Sequence, residues 1–346
     1  MKRNTYTSII RTLGCLLLLP VFASSCIHED PELTADGEIG VDPTAVNIMT
    51  NLILETPFDP IDISRNTRAE EETEFLHRFT VSAYEGTQKV ASQVIFQKVQ
   101  TGETTISIPV RLKLHARKYQ IAVWADYTGK TGDTYQLFYN AEDKGFIMRA
   151  TPYKANSKYY DAFYGSTSLD LSAYRDQWNV TVPTDIEMIR PMARYNLIAT
   201  DVEKFLQKVD KKEITGKKFT ITVKYNYYLP TAFDALTGKL KRSLQYNKTV
   251  ELATLRGLEN KDEFTIGFDY LLINNESTAS VPVTIEITNE SKKVVARYQN
   301  LKIPYERNKE TNIRGHFMTA SPGIDFDPDF EDEDIIIDVT PITPTE

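Results

Sequence analysis

Ile106-Ser107-Ile108-Pro109-Val110-Arg111-Leu112-Lys113-Leu114 alternates apolar and polar residues without a break. A backbone with a period of two puts the isoleucines, Val110 and the leucines on one face and Ser107, Pro109, Arg111 and Lys113 on the other. The stretch is therefore a half-buried β-strand. Pro109 has no N–H to give a neighbour, which places the strand at a sheet edge. After a short turn at 115–118 comes Tyr119-Gln120-Ile121-Ala122-Val123-Trp124-Ala125-Asp126-Tyr127. Here aromatic and β-branched residues occupy both parities, the pattern of a central strand covered on two sides.

Upstream, Ala45–Glu55 carries Val46, Ile48, Leu52 and Leu54 on one parity and Met49 and Ile53 on the other. It is the first strand of the fold. Pro57–Glu74 breaks the pattern with prolines, Arg65, Arg68 and Glu70-Glu71-Glu72, and reads as an exposed loop. Strands then recur at Phe75–Tyr84 and Val90–Phe96. Residues 128–180, rich in Gly, Tyr and Asp, read as long loops with short strands. Strand character resumes at Trp178–Val182 and Asp185–Met192.

A seam lies at Arg190-Pro191-Met192-Ala193-Arg194, after which a new series begins. Thr200 or Asp201 can cap a short helix whose Val202, Phe205, Leu206 and Val209 follow helical spacing. Phe219, Ile221, Val223, Tyr225 and Tyr227 alternate with polar residues and with Tyr228. Further strands fall at Thr249–Leu255, Glu263–Phe268, Val281–Thr288, Lys293–Tyr305 and Thr311–Thr319. Many short strands with scarcely any helix predict an all-β chain of two β-sandwich domains, 45–189 and 190–322.

The ends are different. Lys2, Arg3 and Arg11 precede the apolar run Leu13–Phe22 and the small residues Ala23-Ser24-Ser25, then Cys26. A cationic start, a short apolar core and small residues before a cysteine describe a lipoprotein signal over residues 1–25. Cys26 is the expected lipidation site, and 27–44 is a polar tether. At the other end, 323–346, Asp325, Asp327, Asp329, Glu331, Asp332, Glu333 and Asp334 precede Ile335-Ile336-Ile337-Asp338-Val339. The two-residue spacing of Asp325, Asp327 and Asp329 suits Ca²⁺, but the glycine and the terminal bidentate glutamate of an EF-hand loop are missing. The run reads as a solvated spacer. An apolar strand left in water needs a cover, so Ile335, Ile337 and Val339 either pair with their own domain or are held for a partner; the acidic spacer and the prolines at 341 and 344 favour the partner.

Charge and chemistry narrow the function. The chain has 40 basic and 48 acidic side chains. Removal of the signal leaves a mature net charge of about −11, which argues against nucleic acid. With Cys15 gone and Cys26 acylated, neither a disulfide nor thiol catalysis is expected. His77, His115 and His316 are scattered without metal-ligand spacing, and phosphate loops and nucleophile elbows are missing. No metal, cofactor or enzymatic activity is expected. Tyr159, Tyr160, Phe163 and Tyr164 suit either core packing or a sugar-stacking platform. The latter would make the chain a surface glycan-binding lipoprotein of a polysaccharide-uptake system, and two carboxylates facing across a cleft would instead mark a hydrolase.

Four stretches resemble the fimbrillin-like lipoproteins of Bacteroidales, which supply stalk, tip and anchor proteins of type V pili. They are Cys26-Ile27-His28-Glu29-Asp30, Val123-Trp124-Ala125-Asp126-Tyr127, Arg190-Pro191-Met192-Ala193 leading to Ile198-Ala199-Thr200-Asp201, and Arg307-Asn308 with Thr311-Asn312-Ile313. The resemblance implies two transthyretin-like sandwiches in tandem on a surface-exposed protein held to the outer membrane by lipid. It implies assembly with other pilus subunits through strand exchange, with adhesion to host or microbial surface ligands. In that scheme a protease cuts after Arg65 or Arg68 and frees Val46–Leu54, and the Ile335–Val339 strand of a neighbour fills the groove. Anchor members keep their lipid and stay uncleaved.

Overall fold

The structure, a computed structural model, describes residues 33, 37, 46–58, 75–129, 138–140, 147–149, 157–177, 180–245, 258, 261–274, 279–321 and 335–342. The first half supplies β1 (Val46–Leu54), β2 (Phe75–Glu85), β3 (Gln88–Gln97), β4 (Thr105–Leu112), β5 (Lys118–Gly129), β6 (Tyr139–Asn140), β7 (Ile147–Arg149), β8 (Ala162–Asp170) and β9 (Thr181–Met188). Alternation decides how β4 lies. Ile106, Ile108, Val110 and Leu112 are buried, while Thr105, Ser107, Pro109 and Arg111 face solvent. Each buried side chain of this size contributes about 1.5–3 kcal/mol. The strand is an edge, as Pro109 requires, in the sheet β4-β1-β9.

β1 is the centre of that sheet, antiparallel to β4 and parallel to β9. Its inward residues Val46, Ile48, Leu52 and Leu54 lie opposite the sheet β3-β2-β5-β8 and share one core with it. β5 is central there and buried continuously from Ile121 to Gly129. The prediction of loops with short strands over 128–180 is corrected by β8, a nine-residue strand paired along β5 from Lys118↔Asp170 to Asp126↔Ala162. Its periodicity is hidden because Gly165-Ser166-Thr167-Ser168 interrupts the apolar residues. Gly165 is required by close approach: a Cβ there would lie 2.2 Å from the carbonyl oxygen of Glu187.

The second half supplies β10 (Met192–Ala199), α1 (Val202–Asp210), β11 (Phe219–Tyr225), β12 (Tyr228–Asp234), β13 (Lys239–Gln245), β14 (Phe264–Leu272), β15 (Ala279–Asn289), β16 (Val294–Tyr305), β17 (Lys309–Gly315) and β18 (Ile336–Pro341). Sheets β14-β10-β17-β18 and β11-β15-β16 enclose a second core capped by Val202 and Phe205 of α1. Asp201 stands at the helix N-cap, but its side chain makes no cap bond. Its buried carboxylate instead accepts from the N–H groups of Met318 and Thr319 and the Thr319 hydroxyl, tying the start of α1 to the chain beyond β17. The strand expected at Thr249–Leu255 lies outside the described residues.

The halves meet through shared elements. Met192 belongs to the first core and Ala193 to the second, so the seam falls within β10. β12 pairs with β7 of the first half, and Phe233, Tyr270 and Leu272 pack in the first core. The described residues thus form two β-sandwiches with one α-helix, joined by a packed seam.

Candidate functional site

Cys26, Arg65, Arg68, Asp325, Asp327 and Asp329 lie outside the described residues. What the structure does place is where the first and last strands meet the seam. β1 runs on through Glu55-Thr56-Pro57-Phe58, and this exit is clamped. Phe58 is buried against the rings of His77, Phe163 and Tyr127 at centroid distances of 4.5, 4.7 and 5.4 Å. Glu55 accepts from the backbone N–H of Arg190 at 2.5 Å and from the Arg307 guanidinium at 2.7 and 2.9 Å.

Arg190 is the hub. It is buried, and all five of its N–H donors find partners. Nε and Nη2 grip the Asp161 carboxylate at 2.6 and 2.9 Å; Nη1 reaches Thr56 Oγ1 and Asn308 Oδ1; Nη2 also reaches the Pro57 carbonyl. The guanidinium lies 4.7 Å from the Phe163 ring centroid. Two fork bonds to a buried carboxylate, with every remaining proton used, make a rigid joint rather than a reactive centre. Asn308 holds a left-handed φ of 57°, donates its N–H to the Met192 carbonyl, and accepts from the Ile342 N–H with its own. The clamp therefore links the exit of β1, the seam and the tail.

The tail strand differs from expectation. β18 lies antiparallel on its own β17, from Lys309↔Pro341 to Arg314↔Ile336. Its faces are nevertheless open: Ile336 is 62% exposed, Ile337 45% and Val339 40%. The strand is held by main-chain bonds and by its two ends. Ile335 packs half-buried on the second core, and Ile342, beyond the apolar run, is 3% exposed in the first. That buried isoleucine is why the strand is laid on its own body.

The aromatic group is not a platform. Tyr160 and Phe163 are fully buried and Tyr164 is 6% exposed. Tyr159 stacks on Phe75 at 4.1 Å, and the Tyr139 hydroxyl donates to the Tyr160 carbonyl. His77 sits among rings with Nδ1 accepting from the Val99 N–H, and burial lowers its pKa to about 3. The described histidines share no site, and among the described residues there is no group of three or more His, Cys, Asp or Glu placed to hold a metal ion. The sequence reading missed Asp161, Glu55 and Ile342. The available signal was an arginine beside each of two short motifs, Arg190-Pro191 and Arg307-Asn308, since arginines embedded in strand-forming stretches require carboxylates.

Among solved structures the chain is similar to a "putative cell adhesion protein" from Parabacteroides distasonis, with 12% identity, covering 88% of this chain and 99% of that one at a TM-score of 0.44. It is similar to a second so described from Bacteroides eggerthii, with 10% identity, covering 87% and 96% at a TM-score of 0.41. It is also similar to the fimbrial anchor protein Mfa2 from Porphyromonas gingivalis, with 12% identity, covering 86% and 98% at a TM-score of 0.40. Curated proteins give no match. A family model described as a family of unknown function, DUF6562, matches residues 43–343. With nearly all of the folded chain matched, the protein belongs to that family.

Proposed function

We propose that the chain is a lipid-anchored cell-surface protein of the outer membrane that acts by binding rather than by catalysis, as a structural or adhesive subunit joined to neighbours through its C-terminal strand. The observation that carries this reading is β18. It offers a row of main-chain bonds and, with the half-buried Ile335 just before it, an apolar set at period two, of which Ile337 and Val339 stay largely open. On a neighbour's sheet such a strand recovers its main-chain pairing and gains apolar burial, against the loss of the Ile342 contact with its own core. Its alternation matches the inward row of β1, Val46, Ile48, Leu52 and Leu54. Cys26 would carry the lipid, and a cut at Arg65 or Arg68 would make β1 removable from an accepting copy once the clamp at Glu55–Phe58 is released. The burial of the Tyr160, Phe163 and Tyr164 rings, with Tyr159 stacked on Phe75, disfavours glycan stacking there.

The test uses the full chain cut by an arginine-specific protease and stripped of β1 in mild denaturant, then offered a labelled peptide of residues 331–346. We expect binding that is lost when Ile337 and Val339 in the peptide become aspartate. No binding, or equal binding of both peptides, overturns strand donation. Retention of the Cys26→Ala chain in the membrane fraction, with lipid labelling intact, overturns the anchor.

A further inference from the structure

One end of the second sandwich has the opposite sign to the rest of this acidic chain. The exit of α1 carries Lys211 and Lys212, and the entry to β11 carries Lys217 and Lys218. Against them lies the turn between β15 and β16, with Lys292 and Lys293. All six are exposed. The two segments are fastened together. Asn289 donates its side-chain N–H to the Thr215 carbonyl at 2.8 Å, and the Glu290 carboxylate accepts the N–H groups of both Lys217 and Lys218 at 3.1–3.3 Å. Within the described segments 210–218 and 289–293 the acidic residues are Asp210, Glu213 and Glu290, three against six cations.

The backbone adds a second observation. Lys212 and Lys292 both hold left-handed φ values, 62° and 60°. These are positions where glycine or asparagine relieves strain, and a lysine there carries a penalty on the order of 1 kcal/mol. The fold thus keeps a cation at each of the two turns that form this end, where a turn residue of lower strain would serve the architecture alone.

We propose that this lysine surface binds a linear polyanion, a sulfated or carboxylated polysaccharide. Lysines are hydrated point charges on flexible stems, which suits a repeating anion read by charge rather than by forked geometry. Six of them on two pinned turns concentrate positive potential on a mature chain whose net charge of about −11 repels anions elsewhere. A lipid surface is the weaker fit: Phe205 and Ile214 beside the patch are buried in the core, so no exposed aromatic or aliphatic residue is there to enter a headgroup layer. The surface is independent of β18, so its failure and that of strand donation are separable.

The test measures binding of the full chain to dextran sulfate, with neutral dextran and anionic phosphatidylglycerol vesicles in parallel, between about 50 and 300 mM salt. We expect binding to dextran sulfate only, weakening steeply with salt. A variant with Lys211, Lys212, Lys292 and Lys293 changed to serine should bind about tenfold more weakly or worse, with an unchanged melting temperature. A second variant, Lys212→Gly with Lys292→Gly, should bind more weakly while melting at or above the temperature of the parent. No binding by the parent, equal binding by the first variant, or binding to vesicles but not to dextran sulfate overturns the proposal.

Discussion

Replacing Arg190 by methionine should be among the most damaging single substitutions in this chain. The methionine fills much of the aliphatic volume but leaves the fully buried Asp161 carboxylate without its two fork bonds at 2.6 and 2.9 Å. It also strips Thr56, Pro57 and Asn308 of their donor. Breaking a buried pair by removing one partner costs about 3–5 kcal/mol, because the remaining charge stays desolvated. For a chain of this size that corresponds to a melting temperature lowered by roughly 4–7 °C. The assay is a double-mutant cycle in urea with Arg190→Met, Asp161→Leu and the pair. The double variant should recover much of the loss, since an apolar pair of similar volume carries no stranded charge. A single-variant loss under about 1 kcal/mol, or a double equal to the sum of the singles, would refute the joint.

Gly165→Ala should destabilise by about 2 kcal/mol or more, read from chemical denaturation, because its Cβ would meet backbone at 2.2 Å and the side chains of Ile186 and Met188 at 2.8 Å. His77 is held neutral, with its pKa lowered from 6.5 to about 3. The unfolded chain therefore takes up a proton below about pH 6.5 that the folded chain refuses, and His77 lowers stability by up to about 1.4 kcal/mol per pH unit from there towards pH 3. His77→Gln should flatten the slope of stability between pH 7 and 5; an unchanged slope would refute the assignment. In the tail, Ile342→Ala should cost about 2–4 kcal/mol, whereas Ile337→Ser should stay within about 0.5 kcal/mol, because the first is buried and the second lies open.

The strands were legible in the sequence where one face is buried and the other wet. Ile106–Leu112 and Val46–Leu54 alternate because solvent and core alternate along them. Tyr119–Tyr127 was legible for the opposite reason, both faces being covered. β8 was not, because Gly165 is chosen for a close approach to β9, Thr167 stands on that same face, and the serines lie on the outer one, so period and propensity say little. The clamp was hidden for another reason. Its members stand at positions 55, 161, 190 and 307, and only tertiary folding brings Arg190 within 3 Å of Asp161. The tail illustrates how local reading misjudges an edge. The acidic spacer and apolar run argue for a free strand, while one isoleucine past Pro341 decides where it rests.

The clamp also bears on whether β1 can leave. A cut at Arg65 or Arg68 would sever the chain beyond Phe58, so a departing β1 must take Glu55, Thr56, Pro57 and Phe58 with it. It would withdraw five inward side chains, Val46, Ile48, Leu52, Leu54 and Phe58, each buried to 4% exposure or less. Their burial is worth roughly 8–15 kcal/mol together. Departure would further leave Arg307 and three donors of Arg190, its backbone N–H among them, without Glu55, Thr56 and Pro57. The tail of a second copy can offer Ile335, Ile337 and Val339 to the groove, but the residues that follow, Thr340-Pro341-Ile342-Thr343-Pro344, hold no aromatic for the Phe58 slot and no carboxylate for Arg307. A nicked chain should therefore retain β1. Digestion at Arg65 or Arg68 followed by gel filtration without denaturant should give one species in which mass spectrometry finds both pieces. Loss of the 46–58 segment on the column would show that the clamp is weaker than its bonds imply, and that this chain surrenders its first strand on cleavage alone.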